Sequence, residues 1–458
     1  MSIAPLAPNA ARARAHPYKR VGYGIARRAL FLWLLGLAWV IPAFWDRTFI
    51  YAIAIFDGIL IVAMLVDRAL LPRPQWIEIE RTWDSSPALT AMTQLHVRVR
   101  NESGVSLNCK MLDELHPSLR KEPVQFSLTV PAKGEAVHKY VVFPNERGDH
   151  RVGRIFLRYT SPFGMLERWA VADIEQTIRV YPNFDNVKKH NIFLARTRQI
   201  EMQMRLLRQR GQGKEFESLR EYREGDEYRD ICWTATARRG KLVTKVHQTE
   251  RSQAVWIVLD SGRLMRARTE GYSKLDHSVD AALALSQLAM YSGDRVGLLG
   301  YGRKVNQRVA PGRGAAHLRN LLEQLAMVRA EVPEADHLRA VTRLLSDQKR
   351  RGLIVWLTDL AETAMTPEVV EAAGQLVSHH LLIFLVMGQP DLNVKAAERP
   401  ENIGEMYRSV AAQEVVYRRE VLLGRLRERG ALAMEVSPHQ FSTTLLNQYL
   451  FVKERSLL

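Results

Sequence analysis

Two nearly uncharged runs, set back to back near the N-terminus, constrain this chain more than any other feature. Ala29 to Phe44 reads ALFLWLLGLAWVIPAF with no charged side chain; after Trp45, Asp46 and Arg47, the run Thr48 to Val66 carries only Asp57. At 1.5 Å per residue they extend about 24 and about 28 Å, near the roughly 30 Å of a bilayer's hydrocarbon core. The shorter run reaches the interface through Trp45 or the stem of Arg28. The pair reads as a transmembrane helical hairpin over 29–66, with both ends on one side. Arg12, Arg14, Lys19, Arg20, Arg27 and Arg28 precede it with no acid among them. That basic arm, 1–28, places its side in the cytoplasm by the positive-inside rule, so both termini are expected there. A cleaved signal peptide fits poorly, because the second run follows at once with no small-x-small pattern between. A buried core hairpin is the other bland alternative. Asp57, the one ionisable group at membrane depth, is expected to be protonated, or to bond the indole of Trp33 or Trp39 or a neighbouring subunit.

Past the stiff break Leu71-Pro72-Arg73-Pro74, the chain is ordinary in composition. Its 458 residues allow about three units. An apolar share of 47% with 25% charged residues excludes a wholly disordered chain. Cys109 and Cys232, the two cysteines, exclude a disulfide scaffold and a four-cysteine zinc module. From 75 to 182 the pattern has period two, in WIEIER (Trp76–Arg81), LHVRVRN (Leu95–Asn101), HKYVVF (His138–Phe143) and IFLRY (Ile155–Tyr159). Short strands between turn-rich segments predict a small antiparallel β-sandwich. His96, His116, His138 and His150 are scattered singly and read as ordinary histidines. A linker and motif segment, 183–252, leads to an α/β domain, 253–458.

That last domain alternates strands and helices. AVWIVLD (Ala254–Asp260) and GLIVWLTD (Gly352–Asp359) are apolar runs ending in an acid, as buried parallel strands do. RVGLLGYG (Arg295–Gly302), HLLIFLVMG (His380–Gly388) and Ala431–Val436 supply further strands. Helices are expected over Leu275–Tyr291 and Ala315–Val328, from about Pro367, from about Ala411 to Arg429, and after His439. The pattern predicts a doubly wound α/β parallel sheet, whose ligands sit at the carboxyl ends of strands, where Asp260 and Asp359 fall.

GKEFESLREYREGDEYRDICWTATARRGKLVTKVHQTE (Gly213–Glu250), followed by IVLDSGRLM, resembles the bacterial family called "domain of unknown function 58". RGDHRVGRIFLRYTSPFGMLER (Arg147–Arg168) and NQYLFVKERSLL (Asn447–Leu458) are similar to the same family. The resemblance implies a membrane hairpin and β-domain joined to a von Willebrand A-like domain, in the bacterial inner membrane. It also implies an adaptor, not an enzyme, paired with a MoxR-type AAA+ ATPase.

Von Willebrand A-like domains often hold Mg²⁺ through D-x-S-x-S, a threonine and a further aspartate, hard oxygen donors for a hard cation. Here Gly262 and Leu264 replace the two serines, Arg263 and Arg266 add positive charge, and PGRGA (Pro311–Ala315) has no hydroxyl. Asp260, Ser261 and Asp359 are the remaining candidate ligands of a degenerate site. Mg²⁺ is therefore not the expected cofactor, and a Mg²⁺-dependent sensor module is the alternative function. The acids are instead expected to cap helices or pair with Arg263.

The other signals point away from catalysis. Arg210-Gly-Gln-Gly-Lys214 lacks the Ser or Thr of a phosphate loop, and neither GxSxG nor HExxH occurs. The basic stretch Arg196–Lys214 has no interleaved aromatics, so nucleic acid is not an expected partner; it reads as a solvated helical linker, or as a contact for lipid or an acidic partner. Arg220, Arg223, Asp226, Arg229, Trp233 and Arg238 form either a docking face or an ion-pair network bracing the sheet edge. The expected partners are thus a protein and the bilayer, met by the crest around Arg263 and Arg266 or by this second surface.

Overall fold

The computed structural model describes residues 10–19, 22–183, 215–223, 228–248, 253–269, 271–360, 367–455 and 457. The chain divides into two compact units, Met1–Tyr181 and Pro182–Leu458.

Alternation with period two builds the first unit. In β4 (Ile77–Trp83), every second residue is buried: Ile77, Ile79, Arg81 and Trp83. One sheet runs in the order β1 (Ala10–Arg14), β4, β5 (Thr93–Asn101), β8 (Glu135–Val142). The facing sheet contains β6 (Leu107–Asp113), β7 (Val124–Val130), β10 (Ile155–Thr160) and β11 (Leu166–Ala172). The pair β9 (Gly148–Val152) and β12 (Gln176–Val180) completes the unit. Leu95, Val97 and Val99 from one sheet share a single core with Cys109, Met111, Leu157 and Tyr159 from the other. This is the expected sandwich. Arg81 lies wholly inside it, paired with Asp113, which also accepts from the Tyr140 hydroxyl at 2.5 Å. Burial alone would make that arginine costly; the carboxylate and the carbonyls of Gly153 and Ile174 satisfy its donors. The rings of His138 and Phe126 stack at 4.1 Å, and those of His116 and His150 meet at 5.0 Å.

The structure differs from the sequence reading at the N-terminus. Much of the stretch read as a basic arm is sandwich: β1 pairs antiparallel with β4, while β2 (His16–Pro17) and β3 (Tyr23–Ile25) pair with β11. Arg12 and Arg14 are tied to Glu78 and Glu102. The pattern missed this because Ala10–Arg14 alternates small residues with arginine, and the core contribution of alanine is slight.

Between β3 and β4 lie the apolar runs. The first is α1 (Arg27–Gly36), a 3₁₀ turn over Leu37–Trp39, and α2 (Val40–Ala43). Pro42 has no N–H to offer the carbonyl of Ala38, which accounts for the tightened turn just before it. The second is α3 (Thr48–Leu70), the one described helix long and apolar enough to cross a membrane. The expected hairpin of two full spans therefore has one unbroken helix of that length. The two runs touch where Gly36 meets Phe56: a Cβ on Gly36 would lie 2.6 Å from the ring. Small residues permit this close approach between apolar helices. The foot of α3 is fixed by Asp67, which is buried and accepts from the Ser161 hydroxyl and, at 3.1 Å each, from the backbone N–H groups of Phe163 and Met165.

In the second unit, β13 (Glu215–Glu221) and β14 (Val243–Gln248) pair antiparallel, with the short α4 (Trp233–Arg239) between them. The main sheet follows in the order β19 (Val305–Gly312), β18 (Arg295–Tyr301), β15 (Ala254–Asp260), β20 (Leu353–Thr358), β21 (Leu381–Met387), β22 (Leu432–Val436). All neighbours are parallel except β19, which returns antiparallel to β18. The sheet is thus mixed rather than wholly parallel. Numbered within the domain, its order is 3-2-1-4-5-6, that of a doubly wound sheet. A short antiparallel pair, β16 (Arg268–Thr269) and β17 (Tyr272–Ser273), follows β15, and around the sheet lie α5 (Lys274–Tyr291), α6 (Ala315–Met327), α7 (His337–Asp347), α8 (Pro367–Val377), α9 (Pro390–Ala397), α10 (Ile403–Glu428) and α11 (Phe441–Glu454). Helix α10 starts at Ile403 instead of near Ala411, because the Asn402 side chain accepts from the Glu405 N–H and caps it. Helix α7 was not expected; Asp336 caps it by accepting from the N–H of Arg339.

Candidate functional site

The switch point of this sheet lies between β15 and β20, whose connections depart in opposite directions, and each strand delivers an acid there. Asp260 closes β15 and Asp359 directly follows β20, and both are buried, as is Ser261. Asp260 Oδ1 accepts from the Gly262 N–H at 2.7 Å, and Oδ2 from the Thr358 hydroxyl at 2.6 Å. Ser261 turns inward, donating its hydroxyl to the Tyr301 carbonyl at 2.8 Å. Asp359 Oδ1 accepts from the Leu360 N–H at 2.8 Å and from Arg419 at 3.3 Å; Oδ2 accepts from Lys274 Nζ at 2.5 Å. Arg419 reaches on to Glu435 at 2.6 Å.

This donor set does not fit a divalent cation. Each oxygen of both carboxylates already accepts a protein hydrogen bond, the Ser261 hydroxyl is turned to a carbonyl, and a buried ammonium sits against Asp359. Among the described residues, no cluster of three or more histidine, cysteine or acidic side chains could hold a metal. Electrostatics agree with a closed site. Burial raises the Asp260 carboxyl above the usual carboxylate range, and burial lowers Lys274 below the usual lysine range.

Lys274 and Arg419, absent from the sequence candidates, are therefore the cations that meet Asp359; Arg263 is not one of its bonded partners. A signal for Lys274 was present. Ser273 and Asp276 form a capping box, which places Lys274 in the first turn of α5, where the helix dipole disfavours a cation unless an acid faces it. Arg419 stands among the buried Leu422, Leu423 and Leu426, a charge on an apolar helix face that calls for a buried partner.

The candidate docking residues separate from the acids. Arg263 and Arg266 are exposed on the turn after β15, Arg263 paired with Glu334 at 3.0 Å. On the second surface, Arg223, Arg229, Trp233 and Arg238 are exposed and Arg220 is half-buried. Arg220 and Arg223 both make contacts there, and Lys241 pairs with Glu221 at 3.2 Å. Asp226 and the basic stretch Arg196–Lys214 lie outside the described residues.

Residues 218–392, from β13 through the switch point to α9, match the family described as "Protein of unknown function DUF58". That stretch belongs to the DUF58 family. The chain's α/β domain, with the 3-2-1-4-5-6 order and an antiparallel third strand, is von Willebrand A-like. Among relatives of this chain, the uncharacterized protein Rv1480 of Mycobacterium tuberculosis is 28% identical over 152 residues, 32% of this chain and 48% of the relative. The uncharacterized protein YeaD of Bacillus subtilis is 21% identical over 195 residues, 41% of this chain and 44% of the relative. The chain spans about half the length of the curated relatives it matches. Among solved structures, the conserved hypothetical protein BatB from Bacteroides thetaiotaomicron is 14% identical, covering 44% of this chain and 100% of that one, with a TM-score of 0.32. The VWA domain of SpRpn10 is 13% identical, covering 43% and 95%, with a TM-score of 0.27.

Proposed function

We propose that this protein is a membrane-anchored interaction module, its folded units on the cytoplasmic side, working by contact with a partner protein and performing no reaction. The apolar length of α3 is what suggests anchoring, and one observation carries the two-crossing topology. Strands β1 to β3 precede the apolar runs, yet they pair with β4 and β11, which follow them. If α3 crosses the bilayer, the chain has to cross it a second time to reach the same sandwich, and α1 with α2 is the apolar path available. Their 27–43 stretch extends about 25 Å, which spans with modest local thinning or interfacial anchoring. The foot of the hairpin supports a cytoplasmic assignment: Arg27, Arg28, Arg68 and Arg73 cluster there in sequence, and Arg68 and Arg168 lie over the Tyr23 ring at 5.2 and 4.6 Å. Labelling engineered cysteines in spheroplasts tests the topology. Positions near Ala10 and Glu454 are expected to stay unlabelled by an impermeant reagent, and the Trp45–Arg47 turn to be labelled. Labelling of either terminal position overturns it.

The partner best suited to the resemblance is a MoxR-type AAA+ ATPase. What supports a docking role is the contrast at the switch point, where the acids are internally satisfied and the exposed groups are Arg263 and Arg266. Reversal of both arginines to Glu is expected to slow association with the ATPase in a salt-sensitive way. The melting temperature should stay nearly constant, because exposed charges contribute little to stability. Equal binding by the reversed protein removes the crest as the docking face and leaves the surface around Arg220, Arg229 and Trp233.

A further inference from the structure

Helix α10 is apolar on two opposite faces. Ala412, Leu422, Leu423 and Leu426 are buried within the domain. The opposite face leaves Ile403 73%, Met406 45%, Tyr407 69%, Val410 56%, Tyr417 67% and Val421 37% exposed. At 100° per residue these six side chains fall within about 60° of one line, and they run for about 27 Å along the helix. An exposed apolar patch of several hundred Å² marks an interaction site. The stripe exposes on the order of 700 Å², against the ~800 Å² per partner of a standard interface.

Its layout specifies the occupant. Measured from Ala412, Ile403 and Val421 stand equally far to either side, and so do Tyr407 and Tyr417. A two-fold contact matches position i to j and j to i, so this symmetric spacing is self-complementary in an antiparallel pair. In such a pair Ile403 meets Val421 of the second copy, Met406 falls beside a tyrosine, and Arg418 falls beside another, all favourable contacts. Within the stripe, the one acid, Glu414, is already tied to Arg418 at 2.5 Å. A lipid surface fits less well, because the arginines of α10 are nearly matched by Glu405, Glu414, Glu420 and Glu428, unlike the lysine- and arginine-rich polar face of interfacial helices.

We propose that this face binds a second copy of the chain as an antiparallel α10 pair centred near Ala412. It is independent of the ATPase partner. The test is the protein mass of the full chain in detergent, by light scattering over a dilution series. The wild type is expected to dimerise, and the double variant Tyr407→Glu/Tyr417→Glu to weaken the dimer at least about a hundredfold, with unchanged circular dichroism. In a Cys232→Ser background, Ile403→Cys/Val421→Cys is expected to form a disulfide only between copies, since the two positions are about 27 Å apart on one helix. A wild type monomeric at about 50 µM, a double variant as dimeric as wild type, or protection of α10 by lipid vesicles in a monomeric chain each overturns the proposal.

Discussion

Asp260 and Asp359 read alike in the sequence, each an acid ending an apolar strand, and their surroundings make them opposites. Asp260 accepts two hydrogen bonds from neutral groups, Gly262 N–H and the Thr358 hydroxyl, while burial favours its protonated form. Asp359 is the counter-ion of two buried cations. Asp260→Asn is therefore expected to change unfolding free energy by no more than about 1 kcal/mol at neutral pH, whereas Asp359→Asn should cost about 3–5 kcal/mol by stranding Lys274 and Arg419. The pH profile adds a sign. Between the ordinary carboxylate range and the raised value, the native state holds a proton on Asp260 that the unfolded chain has released. Stability therefore falls as pH rises through that window, and Asn at 260 should flatten the fall in urea titrations. The two thiols differ in the same physical way. Burial pushes Cys109 up to about 12, while the Thr234 hydroxyl lowers the half-exposed Cys232. Alkylation of the native protein should modify Cys232 alone, with Cys109 reacting only on unfolding; early reaction at Cys109 would show that the sandwich opens.

Among the elements, those with a strong period were legible. The sandwich strands and the parallel strands Ala254–Asp260, Leu353–Thr358 and Leu381–Met387 are long apolar or alternating patterns, and they form as expected. What escaped the sequence depended on partners remote in the chain. The N-terminal strands are short, the first of them alanine-rich, and they exist because β4 and β11 present edges to them. The Lys274–Asp359–Arg419 cluster joins residues separated by scores of positions, and no local pattern reports such a contact. The packing of α1 on α3 gives a test at this scale. Gly36→Leu drives a side chain into the Phe56 ring and should loosen the helix pair, read as increased exchange of α1 amides in detergent. Asp67→Ala strands the N–H groups of Phe163 and Met165, at a cost of about 1–3 kcal/mol per orphaned donor; unchanged thermal stability would show that water replaces the carboxylate.

For the whole molecule, the order in which the chain is made becomes a constraint. Strands β1 to β3, made before the rest of the sandwich, have their partners on the far side of about fifty residues and, for β11, some 140 positions later. They must therefore wait, unpaired, while α1 to α3 and the rest of the sandwich are synthesised. Closing so long a loop adds little free energy, because its entropy grows only with the logarithm of length, but it postpones the event. The sandwich is then a clasp, fastened last, by a segment made before the rest of it. Once fastened, a pull on Ala10 is borne in shear by the rungs between Ala10–Arg14 and Glu78–Thr82, and it reaches α1 to α3 only after those rungs and the pairs of β2 and β3 with β11 give way.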